Sequence, residues 1–104
     1  RSSFRAEQLL TLSGAARRLA DIIASAEGPV QYEVLRHLLR VSEETMTEVL
    51  EESVHAGLVR RGDDPFTYVP HDEATGAELA ASIDETRRAR LRQQIRSASE
   101  RVFE

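Results

Sequence analysis

The chain has 104 residues, 40% hydrophobic and 31% charged, the balance of one globular domain with a single modest core. It holds no cysteine, and its 14 basic residues are all arginine. This excludes disulfides, thiolate zinc sites, a cysteine nucleophile, a phosphate-loop lysine and Schiff-base chemistry from these residues. The net charge of −4 is unevenly spread: residues 1–40 and 84–104 each carry six Arg against four acids, whereas residues 41–56 carry five Glu and no Arg. No apolar run approaches the roughly 20 residues of a membrane span, and no charged-then-apolar leader opens the chain. A cytoplasmic, non-membrane protein is therefore expected. A start at Arg1 leads us to expect a longer protein around this segment.

Residues 1–8 read as a lead-in or linker. Leu12, Ala15, Ala16, Leu19, Ile22, Ile23 and Ala26 then recur at helical spacing. Ser13 is the expected N-cap, and Gly28-Pro29 the expected stop. A second helix over about 31–39 buries Val34, Leu35, Leu38 and Leu39. Ser42 caps a third, with Glu43 and Glu44 in the first turn where the helix dipole favours acids. Its core face is Met46, Val49, Leu50 and Val54, and Gly57 supplies a left-handed C-cap.

The period then changes to two. Leu58–Arg61 and Phe66–Val69 flank the four-residue loop Gly62-Asp63-Asp64-Pro65, a hairpin signature, and Pro70 ends the second strand. Thr75 and Glu78 have capping-box spacing ahead of a short helix through Leu79, Ala80 and Ile83. Asp84 or Thr86 caps a last helix, whose Leu91, Ile95, Ala98 and Val102 repeat at 4, 3, 4. Phe103 is expected to need residues beyond Glu104 to cover it. The fold class is thus mainly α with a small β-hairpin.

Three helices, a hairpin and trailing helices resemble a winged-helix domain, and His55-Ala56-Gly57-Leu58-Val59 resembles its helix-to-wing junction. The domain is placed at 9–83, with residues 84–104 an amphipathic Arg-rich helix packed on it. In DNA-binding winged helices the third helix enters the major groove. Here its outward face carries Glu44, Glu48, Glu51 and Glu52 beside Thr45 and Thr47. Carboxylates oppose a phosphate backbone, so DNA binding through Thr45, Thr47, Arg60 and Arg61 is the alternative reading and not the first.

The segment from Leu12 to Glu104 also resembles the winged-helix module of the signal-transduction ATPases with numerous domains (the STAND class), which include large bacterial LuxR-type regulators. The carrying residues are Leu12-Ser13-Gly14-Ala15-Ala16-Arg17-Arg18-Leu19, Phe66-Thr67-Tyr68-Val69-Pro70-His71-Asp72 and Arg87-Arg88-Ala89-Arg90-Leu91. The resemblance implies a non-enzymatic module that packs on a neighbouring ATPase domain. Its His71, with Asp72, would touch the phosphates of ADP held there, sensing ADP or ATP that this segment does not itself bind. An imidazole N–H donates well to a phosphate oxygen. The competing reading of His71 is a helix cap or turn hydrogen bond.

A third reading is an interaction or homodimer-forming module built on the last helix, through Arg87, Arg88, Leu91, Ile95 and Val102. Opposing it, the stripe packs on the winged core and the arginines are solvated. Glu33–His37 and Glu51–His55 are i, i+4 pairs without a third ligand, so surface pairing is expected in place of metal. Asp63-Asp64 read as solvated turn formers, and Ser2, Ser3, Ser13 and Ser97 show no nucleophile motif. No catalytic site is expected.

Overall fold

The computed structural model describes residues 12–102. Within them lie α1 (Gly14–Ser25), β1 (Val30–Gln31), α2 (Tyr32–Leu39), α3 (Glu43–His55), β2 (Val59–Arg61), β3 (Thr67–Pro70), α4 (Glu73–Ala81) and α5 (Glu85–Val102). The described chain is mainly helical, with one antiparallel sheet in the order β1-β3-β2. The expected lead-in at residues 1–8 and the question of Phe103 lie outside the described residues.

Caps set the helix starts. Ser13 Oγ accepts from the Ala16 N–H at 3.2 Å, and Ser42 Oγ accepts from the Thr45 N–H at 3.2 Å, each satisfying one orphan donor. Ser13 also donates from its N–H and hydroxyl to the two Glu52 carboxylate oxygens, at 2.7 and 2.9 Å, which ties the start of α1 to α3. The α1 helix stops at Ser25, before Gly28-Pro29, because Ala26 turns extended and leads into β1. A two-residue strand has no readable period. It exists because Val30 and Gln31 pair with Tyr68 and Thr67 of β3.

The α3 core face is Met46, Val49, Leu50 and Ser53, whereas Val54, expected inside, is 45% exposed. Positions 46, 49, 50 and 53 follow i, i+3, i+4, i+7, and residue 54, at i+8, lies at the edge of that stripe, about 90° around the helix from its centre. Ser53 is fully buried and its hydroxyl donates to the Ala16 carbonyl at 3.5 Å, so two small side chains let α1 and α3 approach closely. At the end of α3, Gly57 takes φ 77°. Its N–H donates to Val54 O and that of Leu58 to Ser53 O, at 3.0 and 3.1 Å, the paired bonds of a Schellman motif. Leu58 is buried directly beyond.

The β2–β3 register sets Val59 opposite Pro70 and Arg61 opposite Tyr68. The expected four-residue loop is one longer, because Phe66 leaves the strand at φ 64° and β3 begins at Thr67. The α4 helix starts a turn earlier than Thr75: Asp72 Oδ1 accepts from the Thr75 N–H at 2.7 Å, and Thr75 is buried within the helix. A carboxylate after an extended strand end is the stronger cap and sets the start. For α5 the cap is Asp84, whose Oδ1 accepts from the Arg87 N–H at 2.8 Å, while Thr86 lies inside the helix.

Leu19, Ile22, Ile23, Leu35, Met46, Leu58 and Leu79 form the fully buried centre. The α5 helix lies across α1 and α2, burying Leu91 and Ala98 with Ile95 packed alongside. Against this core sits a charged group that the apolar pattern concealed. Asp21, 2% exposed, accepts from Arg17 Nε and from an Arg87 Nη, each at 3.0 Å.

Candidate interaction face

The residues singled out in the sequence fall on three separate surfaces. The first is an open groove of about 1640 Å³ between α3, the start of α2 and the β2–β3 hairpin. Its lining includes Glu33, Glu43, Glu48, Glu51 and Glu52 against the guanidinium groups of Arg60 and Arg61. Of the four residues of the DNA reading, the groove gathers Thr47, Arg60 and Arg61 but not Thr45.

Three of those four are engaged locally. Thr47 Oγ1 donates to Glu43 O at 3.0 Å, and Thr45 Oγ1 accepts from Ser42 Oγ at 3.2 Å. Arg60 folds back on the backbone, its Nε donating to His71 O at 3.1 Å and its Nη to Arg61 O at 2.9 Å. Arg61 is exposed. The i, i+4 pairing expected of Glu33–His37 and Glu51–His55 does not form among the described residues: all four side chains are exposed, where water competes for each charge.

Sequence reasoning did not single out Phe66 for this face. It is 76% exposed at the groove lip, and its carbonyl accepts from the Tyr32 N–H at 2.7 Å, which holds the left-handed turn in place. The available signal was an aromatic immediately after Pro65, where a hairpin loop ordinarily turns on Gly or Asn.

The second surface is the β3–α4 turn. The backbone of His71 is held at both ends: its N–H donates to Leu58 O at 2.9 Å and its carbonyl accepts from Arg60. The residue is exposed and outside the groove lining. The helix cap considered for His71 belongs to Asp72, one residue on, so that carboxylate has a structural task.

The third surface is α5. Leu91 is buried, Ile95 and Val102 are half-buried, and Arg87 is engaged with Asp21. Arg88 is half-buried, 3.7 Å from Glu85. Leu91 and Ile95 of the expected partner-facing stripe thus pack on this chain's own core, leaving Arg90, Arg96 and Arg101 outward.

Among the described residues no helix is long and apolar enough to cross a membrane. Comparison of the chain with protein-family models, with curated proteins and with solved structures finds no match in any of the three.

Proposed function

We propose that the chain is a non-enzymatic winged-helix domain that works by protein contact, as the module of a larger STAND-type signalling or transcription regulator. The hairpin β2–β3 is the wing and α3 the helix that a DNA-binding relative would place in the groove. One observation carries the reading: the concave face between α3 and the hairpin holds five carboxylates against two guanidinium groups, and with Glu43 3.7 Å from Arg36 and Arg60 turned to the backbone it still keeps an acidic excess. A surface of that sign repels phosphate and releases no counterions on meeting it.

In this reading the module packs on a neighbouring ATPase domain and His71 faces the nucleotide held there. Support comes from the turn: an exposed residue on a fixed backbone can aim a side chain across an interface with little further ordering. The chain itself supplies no phosphate-loop lysine, so ADP or ATP would be bound by the neighbour.

The first test is fluorescence anisotropy of the chain with mixed-sequence duplex DNA across a salt series. No binding is expected even at low salt. Micromolar affinity with a steep salt slope would overturn the reading and put Arg61 and the α5 arginines on the phosphates.

A further inference from the structure

We propose that the groove between α3 and the hairpin seats a basic amphipathic segment of a partner protein. Its apolar residues would lie against Phe66 and Val54, and its arginines or lysines against Glu48 and Glu51. The inference rests on the protein-contact reading, but it does not involve His71, which lies outside the groove.

Size favours an extended occupant. Small-molecule pockets enclose about 300–1,000 Å³, and this groove is larger, at about 1640 Å³, and open. Hydrophobic exposure points to the same place: among the described residues the exposed large hydrophobics are Val54 and Phe66, and both line the groove. Exposed apolar side chains rimmed by polar residues mark a protein-docking surface, and an amphipathic helix fits such a groove through its own apolar face.

Charge selects the occupant. Glu48 and Glu51 stand one turn apart on α3 and neither holds an ion pair among the described residues, whereas Glu52 is engaged by Ser13. A cationic segment would meet both carboxylates in the groove that also exposes Val54 and Phe66, and an anionic one would be repelled.

The test uses the full 104-residue chain and a fluorescein-labelled helical peptide of leucine and arginine in amphipathic pattern, with a leucine–glutamate peptide of the same pattern as control. Binding is read by anisotropy and its location by backbone amide shifts. The basic peptide should bind, shifting groove residues and not α5. Affinity should fall about tenfold for Phe66→Gly, as for an interface side chain worth more than about 1 kcal/mol. It should fall about fivefold for the Glu48→Gln/Glu51→Gln pair, and stay unchanged for Glu73→Gln/Glu100→Gln, two exposed acids outside the groove.

Equal binding of the acidic peptide, shifts on another face, or indifference to both groove variants would overturn the proposal. So would concentration-dependent self-association with shifts in the groove, which would make a second copy the occupant. Duplex DNA binding would defeat the protein-contact reading as a whole. Failure of the peptide with no DNA binding would defeat this inference alone.

Discussion

Phe66 sits at φ 64°, a backbone region that costs an L-residue about 1–2 kcal/mol, and with 76% of it exposed the ring recovers little by burial. Glycine removes the strain but adds freedom to the unfolded chain, about 0.5–1 kcal/mol in the opposite sense. Phe66→Gly is therefore expected to leave the domain as stable or up to about 1 kcal/mol more stable, a rise of as much as 4–8 °C in Tm for a domain of this size. Phe66→Ala keeps the strain and loses only an exposed ring, so it should change stability by less than about 0.5 kcal/mol. Thermal melts of both variants decide the matter. A clear loss of stability in Phe66→Gly would show that the ring itself supports the fold.

Among the elements, α5 is fastened by the same means that conceal its attachment in the sequence. Asp21 on α1 is buried between Arg17 and Arg87, whose side chains are 35% and 42% exposed. Each arginine alone still neutralises the carboxylate, so Arg17→Ala and Arg87→Ala should each cost about 1 kcal/mol. Removing both strands a buried charge and should cost about 3–5 kcal/mol, more than the sum. Urea unfolding of the two single variants and the double variant closes the cycle; simple additivity would count against joint neutralisation.

The element scale also shows what the sequence made legible. Ser13, Ser42 and Gly57 announced their caps because capping is local, settled within three or four residues. The α4 start was misread because Thr75 and Glu78 mimic a capping box while Asp72 lay hidden at the end of a strand. Arg17 was within reading distance of Asp21, but Arg87 is 66 residues away, and nothing local pairs them. Strand β1 was invisible for the same reason, since only its partner β3 makes it a strand. As for the candidate site, His71 and the acid-rich α3 were readable as residue types. The groove and its Phe66 lip needed the folded hairpin.

At the scale of the whole molecule, the two proposed contacts would meet the hairpin at different places. Phe66 and His71 flank the two ends of β3, five residues apart along the chain and so at most about 17 Å apart. On these proposals, a segment in the groove and a nucleotide-bearing neighbour at the turn would occupy separate surfaces, since His71 does not line the groove. The proposed role of His71 is tested where it matters, in a protein that carries the ATPase domain in the same chain. There, His71→Ala should speed ADP release about tenfold, the loss of one hydrogen bond to a charged group. His71→Gln, which keeps an N–H donor, should recover part of that loss. In the isolated chain the same His71→Ala change should shift stability by less than about 0.5 kcal/mol, because the bonds that hold this residue are made by its backbone. Unchanged ADP release in the ATPase-bearing protein would remove His71 from the nucleotide. A fall in stability of the isolated chain would assign it to the fold instead.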